Sequence, residues 1–143
     1  MDYVFHARFE PDGDEFLLVT FPDVPEAITQ GTGRADARAM AADALAVALR
    51  GRLADGDPLP VPAAKGNGLV PIPVDAETAL KIAVIEAFVA SGISKTELKT
   101  RIGKSDAEVQ RILDPDHPTR IGPLKAALDA LGKDVIVTVH DAA

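Results

Sequence analysis

The side chains best suited to chemistry at the start of this sequence are carboxylates. Six of them lie within its first 23 positions: Asp2, Glu10, Asp12, Asp14, Glu15 and Asp23. Carboxylates that converge on magnesium ions support the hydrolysis of phosphodiester bonds. Most of these residues, however, lie in or beside the turn-forming stretch PDGDE, where acidic residues are an ordinary means of keeping a surface soluble. We therefore predict that they are surface residues without a catalytic role.

The remaining residues indicate neither a metal site nor a cofactor site. The three histidines, His6, His117 and His140, are far apart and share no ligand spacing, and the chain has no cysteine to supply a thiolate. The sequence contains no glycine-rich phosphate loop and no nucleophile motif. These observations predict a protein that is not an enzyme and that uses neither a metal nor a cofactor.

Charge is distributed unevenly along the chain. Twelve acidic and six basic residues occur up to Asp75, whereas ten acidic and nine basic residues follow. Within 94–125 the basic residues are in excess: Lys95, Lys99, Arg101, Lys104, Arg111, Arg120 and Lys125. The asymmetry indicates two modules, one suited to a cationic partner and one to an anionic partner, although solvated surface would also explain it.

Length and composition are those of a folded globular protein. A chain of 143 residues with 47% apolar and 26% charged residues suits one ordinary domain or two small ones. The longest apolar run, 39–49, contains Asp43 and is shorter than the ~18 residues of a membrane span. The opening MDYVFHARFE lacks the layout of a signal peptide. We expect a cytoplasmic protein with no role in a membrane.

The first module has the pattern of a small antiparallel sheet with one packed helix. YVFHARFE and EFLLVTF read as strands separated by the turn PDGDE, and AITQ is long enough for a short third strand. From Thr32, a predicted N-cap, apolar residues recur every fourth position until Gly56. The Pro- and Gly-rich stretch 55–69 predicts a surface connection, and Pro71 and Pro73 predict an edge strand that pairs on one side only.

The second module has the pattern of four helices. Helices are predicted from Asp75 to Gly92, over 94–102, over 105–113 and from 121 to Gly132, with Gly103 in a tight turn. The terminal DVIVTVHD alternates like a strand, and since a strand needs a partner we expect it to pair with a second copy in a homodimer or higher oligomer. The predicted domains are 1–74 and 75–143, and the fold class is α+β.

The stretch SKTELKTRIGKSDAEVQRIL resembles the helix-turn-helix of the Cro and phage-repressor class, with Leu98, Gly103 and Val109 at its packing and turn positions. Lys99 and Lys104 depart from that class, which usually has alanine and an aliphatic residue there. The resemblance implies binding to operator DNA. The residues expected to contact bases or phosphates are Lys95, Thr96, Lys104, Ser105, Asp106, Ala107, Gln110 and Arg111.

The stretch FPDVPEAITQG, followed by an alanine-rich helix, resembles the antitoxins of the HicAB toxin-antitoxin family. The resemblance covers about residues 3–56, and Glu26 and Ala27 stand where the family often has glycine and cysteine. It implies a partial ribonuclease H-like fold without catalytic activity and a HicA-like ribonuclease toxin as partner. The residues expected to bind the toxin are Phe21, Pro22, Asp23, Pro25 and Glu26.

Two functions remain open from the sequence. The first is an antitoxin that neutralises a small basic ribonuclease and represses its own operon. The second is a helix-turn-helix regulator whose first domain senses a small ligand. A pocket lined by convergent polar groups would favour the sensor, and a flat acidic face would favour the antitoxin.

Overall fold

A computed structural model of the protein describes residues 2–142, which form two compact units that meet between Asp75 and Ala76 in sequence. The first unit contains β1 (Val4–Asp12), β2 (Phe16–Thr20), β3 (Ile28–Thr32), α1 (Gly33–Asp55) and β4 (Leu69–Pro73). The second contains α2 (Ala76–Ser91), α3 (Lys95–Ile102), α4 (Asp106–Leu113) and α5 (Ile121–Ala130). The α+β class predicted from the sequence is confirmed.

The strands of the first unit form one antiparallel sheet in the order β3-β2-β1-β4. In the register, Phe9 of β1 is opposite Val19 of β2, and His6 of β1 is opposite Pro71 of β4. A proline has no N–H to donate to a neighbouring strand. The two prolines of β4 are tolerated because this strand pairs with β1 alone. The edge position predicted for this strand is confirmed.

Helix α1 packs closely on the sheet because its buried face is built largely from alanine. The buried residues of this helix are Ala37, Ala41, Leu45, Ala46 and Leu49. Gly31 in β3 is part of the same contact, since a Cβ atom there would lie 2.5 Å from the Cα of Ala37. The glycine of the stretch TQG therefore lets helix and strand approach each other.

The start of α1 is stabilised by a residue inside the helix. Thr32 occupies the predicted N-cap position, but its side chain makes no capping hydrogen bond. Instead, the backbone N–H of Thr32 donates to Oδ2 of Asp36 at 2.7 Å. Gly33 permits the turn into the helix with a φ of 81°. The carboxylate also lies at the positive end of the helix dipole, where a negative charge is favourable.

The second unit is built around a core shared by three helices. Val84 of α2, Ile112 of α4 and Leu124 and Leu128 of α5 are buried together. Val135, beyond the last helix, packs against the same cluster. The unit thus has its own hydrophobic core, as expected of a compact module.

Helices α3 and α4 are joined by a tight turn of three residues. Gly103 in this turn has a φ of 66°, a conformation that glycine adopts without steric cost. Ser94 and Ser105 are the N-caps of the two helices. Their hydroxyl oxygens accept hydrogen bonds from the backbone N–H groups of Glu97 and Glu108, at 3.1 and 3.2 Å. Leu98 and Val109 are buried where the helices meet. The packing and turn positions identified in the sequence therefore have the expected surroundings.

Lys99 stands at a position where the resembled class has alanine. Its stem lies half-buried between the helices, and its Nζ atom reaches Oδ1 of Asp106 at 3.1 Å. The charged end therefore extends to the surface while the methylene groups contribute to packing.

The strand predicted for the end of the chain does not form within the single chain. Residues 131–142 contain neither helix nor strand. No strand of the described second unit lies beside this segment to complete a ladder, and an isolated strand is not stable. Ile136, Val137 and Val139 are largely exposed as a result. Pairing with a second copy stays a prediction.

Among the described residues, the helices are either too short or too polar to cross a lipid bilayer.

Candidate functional site

The loop between β2 and β3 carries the residues that the sequence associated with toxin binding. Phe21 is 2% exposed and Val24 is fully buried, so both belong to the core of the first unit. Two tight turns shape the loop, with Val24 N donating to Phe21 O at 3.1 Å and Ala27 N donating to Val24 O at 2.9 Å. Pro22 and Pro25 are exposed. The loop thus has a buried apolar anchor and a proline-rich outer surface.

Asp23 is occupied by contacts within the chain. Its Oδ2 atom accepts hydrogen bonds from the backbone N–H groups of Ala63 and Ala64 at 2.8 and 2.7 Å. These residues belong to the Pro- and Gly-rich connection between α1 and β4, which is therefore held against the first unit at this point. A carboxylate that accepts two backbone N–H groups makes strong, charge-assisted hydrogen bonds.

Glu26 forms a bidentate ion pair with Arg52 near the end of α1. The Nη2 atom of Arg52 lies 2.8 Å from Oε1, and its Nε atom donates to the other carboxylate oxygen. These hydrogen bonds lower the pKa of Glu26 to about 2. The charge of Glu26 is thus largely satisfied within the chain, and the pair links the loop to the helix.

A groove of about 550 Å³ lies beside this ion pair, between α1 and the start of β3. Its lining includes Ile28 and Val47, each 61% exposed, and the small residues Ala48 and Gly51. This surface was not among the sites predicted from the sequence. One feature of the sequence does indicate it: Val47 is an apolar residue of α1 that lies outside the predicted buried stripe of that helix.

The residues predicted to contact DNA are all exposed on the second unit. Lys95 and Thr96 are exposed in the first turn of α3. The others are exposed in the turn after α3 and on α4: Lys104, Ser105, Asp106, Ala107, Gln110 and Arg111. Those on α4 occupy the face opposite the buried Val109 and Ile112, as the 3.6-residue period requires. The oxygen of Ser105 is used in capping, and Asp106 pairs with Lys99.

The same surface includes two residues that the sequence analysis did not assign to it. Arg120 and His117 line a groove of about 540 Å³ together with Lys104 and Arg111. They come from the connection between α4 and α5, so their proximity to the α3–α4 turn depends on tertiary structure. Three basic residues, Lys104, Arg111 and Arg120, line the groove with one acidic residue, Glu108, and this excess of positive charge suits phosphate groups.

Lys81 of α2 is the buried charged residue behind this surface. It is 3% exposed, and its Nζ atom donates to the carbonyl oxygens of Arg111 and Ile112 at 2.9 and 3.0 Å and to Oγ1 of Thr119 at 2.6 Å. Burial lowers the pKa of Lys81 to about 8, and the negative charge of Asp114 opposes that shift. The ammonium group thereby satisfies the carbonyl group of Ile112 and gives that of Arg111 a second donor besides the backbone N–H of Asp114, at the negative end of α4.

The described residues contain no group of three or more histidine, aspartate or glutamate side chains placed to hold a metal ion. Among the described residues, the six carboxylates near the start of the chain therefore do not form a metal site.

Comparison with known proteins identifies the family. Residues 2–83 match the family described as "HicB_like antitoxin of bacterial toxin-antitoxin system". Antitoxin HicB 1 of Photorhabdus laumondii is 35% identical over 136 residues, which cover 95% of this chain and 86% of that protein. Antitoxin HicB 2 of the same organism is 37% identical over 129 residues, which cover 90% and 91%.

A third relative, Antitoxin HicB of Escherichia coli strain K12, is 36% identical over 127 residues, which cover 87% of this chain and 89% of that protein. These relatives match across both units and are named as antitoxins, not as enzymes. The chain that carries the loop at 21–26 and the glycine contact between β3 and α1 thus belongs to the HicB-like antitoxin family of bacterial toxin-antitoxin systems.

Proposed function

We propose that this protein binds and neutralises a small HicA-like ribonuclease toxin through its first unit and represses its own operon by binding operator DNA through its second. The observation that carries the proposal is membership of the antitoxin family, since an antitoxin requires a toxin partner. We also propose that the first unit is a partial ribonuclease H-like fold, which its antiparallel sheet followed by a helix supports.

Charge supports the assignment of the toxin to the first unit. The chain up to Asp75 carries twice as many acidic as basic residues. A ribonuclease must hold phosphate groups and therefore presents a positive surface. Opposite charges on the two proteins speed their encounter and disfavour wrong partners.

The arrangement of α3 and α4 supports the assignment of DNA to the second unit. Gln110 and Arg111 project from the exposed face of α4, and their side chains suit adenine and guanine edges in a major groove. Lys95 opens α3, where a helix N-terminus and a positive charge favour phosphate. In this proposal α4 is the recognition helix of a helix-turn-helix.

We further propose that two copies associate through the segment that follows Asp134. Val135 anchors this segment to the core of the second unit, while Ile136 and Val139 are 88% and 90% exposed. A strand from each copy would cover these side chains and satisfy the open backbone groups. A dimer also places two recognition helices on two half-sites, as operator binding by this class of motif requires.

Sensing of a small ligand is the competing function. Its strongest support is the groove in the first unit, whose volume is in the range of ligand pockets. The groove is open, however, and most of its charged lining residues are acidic, namely Glu26, Asp43, Asp55 and Asp57, which favours a basic protein surface as its partner.

Binding to the DNA upstream of the gene tests the role of the second unit. We expect Arg111→Ala to weaken binding to the specific site by about 1–3 kcal/mol and to relax preference at one base pair. Lys95→Ala should instead weaken binding to specific and random DNA alike. Titrations of both DNAs at two salt concentrations separate the two effects. Equal binding of specific and random DNA by the unmodified protein would contradict the proposal.

A further inference from the structure

Helix α1 has a second regular stripe beside the one that packs on the sheet. Met40, Asp43, Val47 and Gly51 recur at intervals of three and four residues, so they lie along one face of the helix. This face borders the groove that runs between α1 and the start of β3. The groove is thus a continuous surface some three turns of helix long, as expected for about 1.5 Å of rise per residue.

Large apolar side chains project into solvent along the groove. Ile28 and Val47 are each 61% exposed, and Met40 is 38% exposed. Ala44 and Ala48 also line the groove, and their small side chains let another chain approach the helix backbone. An apolar groove bordered by polar residues is characteristic of a protein interaction site.

The border of the groove is acidic. Asp43, Asp55, Asp57 and Glu26 surround it, whereas Arg52 is the basic residue among its lining side chains. Because Arg52 is paired with Glu26, the three aspartates leave a negative charge for an incoming partner. The groove therefore combines apolar contact area with a field that attracts a positively charged segment.

We propose that the toxin docks in this groove, placing apolar side chains between Ile28 and Val47 and basic side chains beside Asp43 and Asp55. The inference rests on the proposed function and gives it a location. It also revises the expected toxin site: Phe21 is buried, Asp23 holds the connection after α1, and Glu26 is paired with Arg52. In this account the loop at 21–26 supports the wall of the groove and is not the main contact.

A second copy of this chain is a less suitable occupant. The first unit has an excess of six acidic residues, so two such grooves facing each other would repel. A toxin built to bind RNA has the opposite charge and satisfies both the apolar walls and the acidic border.

The test uses the full chain and the small basic protein encoded by the adjacent gene, with affinity measured by calorimetry. We expect Val47→Glu to weaken the complex by at least about tenfold, because it places a charge in an apolar contact. The matched control is Val61→Glu, which changes a valine of the connection that is 71% exposed and lies outside the groove. It should bind within about twofold of the unmodified protein.

A second pair of variants tests the acidic border. Asp43→Lys should weaken the complex by at least about tenfold and reduce its dependence on salt, since it reverses a charge at the contact. Asp14→Lys makes the same change of net charge in the exposed β1–β2 turn and should have a much smaller effect. All four substituted positions are exposed, so circular dichroism should show unchanged folding.

The outcomes separate this inference from the proposed function. If the unmodified chain binds the toxin and the groove variants bind equally well, the docking site is wrong while the antitoxin function stands. If the groove variants change only self-association, measured by sedimentation, the groove is an interface between copies and the inference is again wrong. If the unmodified chain does not bind the toxin, both are wrong.

Discussion

The buried ammonium group of Lys81 donates hydrogen bonds to the C-terminal end of α4. It satisfies two backbone carbonyl groups of that helix and the hydroxyl of Thr119, so one side chain fixes both the last turn of α4 and the connection that follows. Because Arg111 and Arg120 lie on these two elements, the spacing of their charges depends on Lys81. Lys81 is therefore a positioning residue for the proposed DNA surface.

Replacement of Lys81 tests this role. Lys81→Met keeps the length of the side chain but removes the donor to the buried carbonyl oxygen of Ile112 and one of the donors to that of Arg111. We expect it to lower the free energy of unfolding by about 1–3 kcal/mol. Lys99→Met is the control, because the Lys99 ion pair lies at the surface, where such pairs contribute about 0–1 kcal/mol. Urea unfolding of both variants measures the difference. Equal stability of the two would contradict the assigned role.

The ion pair between Glu26 and Arg52 makes the free energy of unfolding of the protein depend on pH. The pKa of Glu26 is lowered to about 2 in the folded protein from an ordinary value of 4.5. The pair therefore stabilises the fold above pH 4.5, and that contribution is lost as the pH falls toward 2. Since the carboxylate is partly exposed, we expect a contribution of only about 0.5–1 kcal/mol.

Thermal unfolding at pH 6 and pH 2.5 would measure this contribution. Glu26→Gln should be less stable than the unmodified protein at pH 6, and the difference should shrink at pH 2.5. Glu15→Gln, in the exposed β1–β2 turn, should match the unmodified protein at both values. A difference for Glu26→Gln that does not change with pH would mean that the ion pair is not its source.

At the scale of elements, the contact between β3 and α1 depends on Gly31. A methyl group at this position would lie 2.5 Å from backbone atoms of Ala37, so Gly31→Ala must push the helix away from the sheet. We expect a loss of about 1–3 kcal/mol in the free energy of unfolding. Gly51→Ala makes the same change in the interior of α1, where the added Cβ would meet no atom within 4 Å beyond the adjacent residues and backbone of its own helix. It should stabilise by about 0.4–1 kcal/mol. Effects of the same sign would contradict this account.

The segment after Asp134 is the element whose structure depends most on a second copy. If it pairs between copies, truncation after Asp134 should weaken the dimer and lower operator affinity more than Arg111→Ala does, because a single recognition helix covers only a half-site. Sedimentation of the full and truncated chains, with titration of the upstream DNA, measures both effects. A truncated chain that stays dimeric and binds DNA as before would exclude this mode of association.

Elements with strong local patterns could be predicted from the sequence. The alternation of β1, the prolines of β4 and the glycine turn at Gly103 each indicated the structure found, because a local rule governs them. Thr32 is the N-cap of α1, as predicted, but its side chain makes no capping hydrogen bond, and its own backbone N–H donates to Oδ2 of Asp36.

The long-range contacts could not be predicted in the same way. Lys81 finds its acceptors 30, 31 and 38 residues further along the chain. Asp23 binds the connection about 40 residues later, and no local pattern distinguishes it from an exposed aspartate that is available to a partner. The candidate groove likewise combines β3 with three turns of α1, and its shape follows from their packing.

At the scale of the whole molecule, two units with different charge suggest a division of labour. The acidic first unit would hold the toxin, and the second unit, with basic residues gathered around α4, would hold DNA. Binding of one partner need not require the residues that bind the other. Variants can therefore separate the two activities in the full chain.

The measurement that tests this account most directly is cleavage of RNA by the small basic protein of the adjacent gene, with the full antitoxin chain added in increasing amounts. We predict that the unmodified chain and Arg111→Ala stop cleavage at the same concentration, whereas Val47→Glu requires at least about tenfold more. Continued cleavage in the presence of excess unmodified protein would contradict the central claim that this chain neutralises a ribonuclease toxin.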